Sequence, residues 1–168
     1  MNDIEVKIVS LEPMRVAVAH GFGTSPELEA WQKILRYLKS RGRLDQLEDL
    51  RFFGYNNPNP SPGSPNYGYD QWVTIDDDEP VSEDLKAYDF PGGKYAVTSF
   101  QGLSNITTVW GRLVQWHEDH GYQKPPNYLQ CLEELTNPHK FISPDGELDE
   151  TEATMDQLVF KLYLPVAE

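Results

Sequence analysis

Two stretches of the chain repeat one hydrophobic pattern. Residues 16–19 are a short β-rich run that passes through a glycine-bearing turn into a segment of helical period, where Leu28, Trp31, Ile34, Leu35 and Leu38 form one apolar stripe. Residues 95–98 lead in the same way to Ile106, Val109, Trp110, Leu113 and Val114. Ser25 followed by Pro26 predicts the first helix start, and Ser104 or Asn105 the second. Gly42 and Gly121 are the corresponding stops. Each helix is followed by two further strand candidates, 52–55 and 70–75 in the first case and 129–135 and 158–164 in the second. A loop rich in Pro, Asn, Ser and Gly separates the first pair, and an acidic loop around 144–152 the second.

The two stretches are copies. Residues 15–42 lie without gaps on residues 94–121 at a constant offset of 79, with Ala17/Ala96, Val18/Val97, Gly23/Gly102, Ser25/Ser104, Trp31/Trp110 and Gly42/Gly121 identical. A single one-striped helix on a three-stranded ribbon buries little, so the copies must pack on one another about a pseudo-twofold axis. The expected fold is therefore α+β: two pseudo-symmetric strand-helix-strand-strand repeats forming antiparallel sheet, with a ligand cleft between the halves. We read residues 1–168 as a single domain, with repeat one at about 4–76, an acidic linker at 76–89 and repeat two at about 90–166.

Charge narrows the range of partners. The 168 residues carry 14 basic and 27 acidic side chains, net -13, which repels nucleic-acid backbones and anionic membranes. The acidity is local: residues 76–89 hold seven acids and one lysine, and 145–152 hold five acids, so the remaining body is nearly neutral. The chain has no run of 18 apolar residues, and its first ten lack a signal-peptide layout, which points to a cytoplasmic protein. The single cysteine, Cys131, forms no internal disulfide and reads as a small buried apolar residue. His117 and His120 read as a solvated helix end, and neither metal nor other cofactor is expected.

Several motifs, in order, resemble the GyrI-like or AraC-type effector-binding domain. They are FGYNNP from Phe53 to Pro58, PGGKYAVTSFQG from Pro91 to Gly102, a WxxLxxW from Trp110 to Trp116 followed by HGY, and KLYLPV from Lys161 to Val166. The resemblance covers nearly the whole chain. It implies a module that binds amphipathic, often cationic, small molecules in an aromatic cleft with a buried carboxylate. Many relatives add a DNA-binding helix-turn-helix domain, for which a module running from Ile4 to Val166 leaves no room, so direct nucleic-acid binding is not expected. Stand-alone relatives include gyrase-inhibitor-like proteins and a group resembling cyclopropanoid hydrolases.

The resemblance places the family's cleft glutamate on the strand CLEELTNP, at Glu133 or Glu134. Alternation lets only one of the two face the cleft. Glu133 shares its face with Cys131 and Leu135 and is the preferred candidate, with Leu135 standing where the family has tyrosine. A second family glutamate falls on Lys161, and the tyrosine two residues later is retained as Tyr163. The aromatic ligand-binding candidates are Tyr55, Tyr69, Trp72, Trp110 and Tyr163, with Tyr69 and Trp72 on opposite strand faces. Trp31 and Trp110, at equivalent places, suggest a shared packing role.

Three functions follow as expectations. The first is a stand-alone binding protein for an amphipathic ligand. The second is a hydrolase of cyclopropane-bearing compounds, with Glu133 as the catalytic carboxylate and Tyr55 or Tyr163 orienting the substrate. The third is an interaction or inhibitor module that engages a protein partner through its acidic segments.

Overall fold

The fold is described from a computed structural model covering residues 4–123 and 130–167. Its strands are β1 (Lys7–Leu11), β2 (Met14–Gly23), β3 (Phe52–Asn56), β4 (Tyr67–Thr74), β5 (Lys86–Phe90), β6 (Gly93–Gln101), β7 (Leu132–Leu135) and β8 (Val159–Pro165). The main helices are α1 (Pro26–Ser40) and α2 (Ile106–Asp119), with single turns α3 (Pro138–Phe141) and α4 (Glu152–Met155). All eight strands join one curled, half-barrel sheet in the order β1-β6-β8-β7-β3-β4-β2-β5, every pairing antiparallel.

That order reads the same from either edge once repeat-equivalent strands are matched. β2 and β6 are equivalent, as are β3 and β7, and β4 and β8. β1 and β5 also start and end 79 residues apart, so the duplication reaches one strand further than the sequence pattern indicates. Each edge strand crosses over: β1 pairs with β6 of the second repeat, and β5 with β2 of the first. The segment 76–89 is thus not wholly a linker. KAYDF carries too weak an alternation to announce a strand, but its backbone satisfies the open edge of β2. Residues 76–85 remain as the connection, pinned by the buried carboxylate of Glu79, which accepts from the Tyr37 hydroxyl, from Arg43 Nη1 at 2.7 Å and from the Asp76 amide.

Both long helices lie on one face of the sheet. Trp31, Ile34, Leu35 and Leu38 of α1 pack on Ala17, Ala19, Phe52 and Val73, and Val109 and Leu113 of α2 pack on Ala96, Leu162 and Leu164. Ile34, Leu38 and Leu113 are at most 1% exposed, each contributing roughly 2 kcal/mol of hydrophobic stabilisation. The stripe on α2 is narrower than its sequence suggests, because Val114 is exposed. Gly42 and Gly121 end the helices with φ of 67° and 72°, a left-handed geometry that favours glycine. Ser25 stands at the first helix start but makes no side-chain cap bond.

The opposite face carries its own buried cluster of Val16, Phe53, Trp72, Phe90, Tyr95 and Tyr163. Three expectations change. β4 begins at Tyr67 rather than at 70, and β7 at Leu132; Leu129 lies outside the described residues. Cys131 precedes β7 and is exposed, not buried. His117 is buried rather than solvated, because it lies on the α2 face turned toward Tyr122, whose ring is 5.6 Å away.

Candidate functional site

Between α1 and α2, over the central strands, lies a cleft of about 760 Å³ lined by residues of both repeats. Glu133 reaches it from β7. The Tyr69 hydroxyl donates to Glu133 Oε1 at 3.0 Å and Trp110 Nε1 donates to Oε2 at 2.8 Å. Burial raises the Glu133 pKa above the usual carboxylate value; the two donors pull it back down, and the nearby Glu27 adds to the rise. Burial, followed by the charge of Glu133, also pushes the Tyr69 phenol well up. Space for the Tyr69 ring comes from Gly54 on the neighbouring strand, where a Cβ would lie 2.2 Å from the Tyr69 hydroxyl oxygen.

A second carboxylate enters from α1. Glu27, in the first turn, accepts from the Tyr67 hydroxyl through both of its oxygens, the Oε2 contact measuring 2.9 Å. Burial and that bond push the Tyr67 phenol up to about 12. Sequence reasoning missed Glu27, although it stands four residues before Trp31, on the same helix face, and both line the cleft. Trp31 forms part of the wall, stacked on Phe52 at 5.3 Å and edge-on to Phe141 at 5.4 Å. Met155, Leu158 and Phe160 add apolar surface, and the exposed Glu150 lies at the mouth. Among the described residues, no Lys, Arg or His lines the cleft.

The structure therefore brings together Glu133, Tyr69 and Trp110, with Leu135 beside them. It does not bring Tyr55, Trp72 or Tyr163 to the cleft. All three face the other side of the sheet, where Trp72 is 5.6 Å from Tyr55 and Tyr163 is 5.8 Å from Tyr95, ring to ring. Strand alternation explains the outcome, because Leu132, the direct partner of Tyr163 on β7, has its side chain on the face opposite to that of Glu133. Tyr163 instead donates to Glu134 Oε1 at 2.5 Å. Arg51 completes this cluster, donating from Nε to Glu134 Oε2 at 2.8 Å and from Nη2 to Oε1 at 3.0 Å and to the Tyr163 hydroxyl at 3.2 Å. Lys161 faces that side too, paired in register with Glu134. The shared packing role of the two tryptophans also divides: Trp31 is 8% exposed in the core, whereas Trp110 is more open and directs its N–H to Glu133.

Solved structures of low sequence identity share this fold. The C-terminal domain of EcmrR matches with a TM-score of 0.65 at 11% identity, over 98% of each chain. EcmrR in its complex with DNA extends further, and the present chain spans 57% of that protein. An integron cassette protein from the mobile metagenome of Vibrio cholerae matches with a TM-score of 0.54 at 11% identity, over 96% of this chain and 95% of that one. SAV2435, solved bound to tetraphenylphosphonium, matches with a TM-score of 0.50 at 13% identity, over 98% of this chain and 94% of that one. No curated protein matches by sequence. The family model described as Cass2, integron-associated effector binding protein, covers residues 7–166. A duplicated half-barrel with a cleft on its pseudo-twofold axis, matched by that model over almost its full length, belongs to the family of integron-associated effector-binding proteins.

Proposed function

We propose that this small-molecule-binding chain takes an amphipathic organic cation, with Glu133 as the counter-charge and Trp110 and Tyr69 as its aromatic frame. The observation that carries this reading is a half-buried, desolvated carboxylate in an aromatic cleft that no basic side chain lines among the described residues. A cation entering the cleft gains the desolvated charge of Glu133 and the π face of Trp110, while its apolar body displaces water from Phe160, Met155 and Leu158. An anion meets carboxylates alone. The volume suits a drug-sized molecule. Tetraphenylphosphonium in SAV2435, a protein of the same fold, is a ligand of this class and supports the reading. A hydrolase built on Glu133 with Tyr55 or Tyr163 lacks support, since both hydroxyls belong to the opposite face.

The test compares two molecules of one shape and opposite charge. Tetraphenylphosphonium is expected to quench tryptophan fluorescence saturably, and tetraphenylborate is not. Glu133→Gln should weaken the first by about tenfold or more. Equal binding of both ions, or an unchanged affinity in Glu133→Gln, would overturn the reading.

A further inference from the structure

We infer that Glu27 makes the cleft selective for ligands with two basic centres, one held at Glu133 and a second at Glu27. The inference rests on the cation reading above and adds to it a second, separately placed charge.

Its basis is the way β4 presents the two carboxylates. Tyr67 and Tyr69 are two residues apart on one strand, so both side chains leave the same face. Tyr69 holds Glu133 of the second repeat, and Tyr67 holds Glu27 of the first. Two residues of extended strand set the Cα atoms of Tyr67 and Tyr69 about 7 Å apart, and each carboxylate accepts from one of their hydroxyls. Glu133 and Glu27 are both half-buried, and a third lining carboxylate, Glu150, is exposed. Three carboxylates thus share one cleft with the apolar side chains of Phe160 and Met155.

The charge of Glu27 adds to the cost of ionising Glu133. A monocation at Glu133 relieves part of that cost. A dibasic ligand relieves all of it, because each carboxylate acquires its own partner. A flexible aryl diamine of the right length satisfies both charges and leaves its ring against Trp110.

The experiment uses the full chain and N-(naphthylmethyl) α,ω-diamines with three to eight methylenes. Each is compared with the monoamine of equal length by fluorescence titration. Wild type is expected to bind the diamine about tenfold tighter than its monoamine at the best spacing of the series. Glu27→Gln should abolish that preference, its amide oxygen still accepting from Tyr67. Glu133→Gln should weaken both amines. Absence of a diamine preference in wild type, or its persistence in Glu27→Gln of unchanged thermal midpoint, overturns the role of Glu27 while sparing the cation reading. Failure of every amine and of tetraphenylphosphonium to bind overturns both.

Discussion

Gly54 and Glu133 are the same position of the two repeats, 79 residues apart in sequence, and they face each other as direct partners across β3 and β7. The pseudo-twofold axis passes between them. Directly opposed residues on neighbouring strands hold their Cβ atoms about 5 Å apart, so two glutamates here would repel each other inside the cleft. The duplication resolves this with one carboxylate and one glycine, and the room at the glycine is filled by Tyr69, a donor to that carboxylate.

Gly54→Ala is the direct test. The added Cβ, 2.2 Å from the Tyr69 hydroxyl, forces the ring to move. We predict a loss of about 1–3 kcal/mol in denaturant unfolding together with weakened cation binding. A variant that keeps both wild-type stability and wild-type affinity would show that Tyr69 does not depend on this gap.

Glu133→Gln should stabilise the protein at neutral pH while impairing ligand binding. Burial raises the Glu133 pKa in the folded state above its unfolded value. The folded state therefore holds its proton more tightly, and ionisation costs stability as pH rises from the unfolded to the folded value. Above that window the cost is constant; below it there is none. Thermal midpoints of both proteins from pH 3.5 to 8 should converge at the acidic end, with the variant ahead at the other. A variant less stable than wild type at pH 8 contradicts this assignment.

Cation affinity should also depend on pH. Under the proposed cation reading the ligand needs ionised Glu133, so affinity should fall as pH drops through a pKa that burial raises above the usual carboxylate value. Trp110→Phe keeps an aromatic ring but removes the N–H that favours the carboxylate, so the midpoint of that fall should move to higher pH. Tetraphenylphosphonium titrations at a series of pH values measure both midpoints, and an unmoved midpoint in Trp110→Phe excludes the hydrogen bond as a cause.

On the opposite face, Arg51→Ala leaves Glu134 buried with Tyr163 as its remaining side-chain partner. The expected cost is about 2–4 kcal/mol, toward the lower end because the Arg51 side chain is 43% exposed and solvent screens the pair. Arg51→Ala combined with Glu134→Leu should recover much of it. Denaturant unfolding of the single and double variants decides whether the pair is coupled.

Tyr55→Phe and Tyr163→Phe distinguish the two faces. Both should leave cation affinity within about twofold, whereas Tyr163→Phe should lose about 1 kcal/mol of stability with its bond to Glu134. A large affinity loss in either variant would place the ligand on the other side of the sheet.

The repeat and the two helices were legible in the chain itself, because each depends on local periodicity: offset 79 and the 3.6-residue stripe. Strand alternation put Glu133 and Glu134 on opposite faces, while the family resemblance drew attention to that strand. The same alternation separates Tyr69 from Trp72. It could not place Tyr55 or Tyr163 relative to Glu133, because they stand on different strands and their common face depends on register between strands distant in sequence. Register is set by pairing across the sheet, such as Gly54 with Glu133 and Leu132 with Tyr163. The same reason hid Glu27, which local pattern shows only as a helix-start acid, favourable to the helix dipole. The exchange of β1 and β5 was equally invisible, since which open edge each five-residue segment fills is decided by pairing with a strand distant in sequence. What the sequence determined by itself was the set of elements and the face of each side chain on its own element. Which faces meet, and hence which carboxylates share one cleft, was decided by the tertiary structure, because contacts between strands far apart in the chain depend on a register that no local pattern contains.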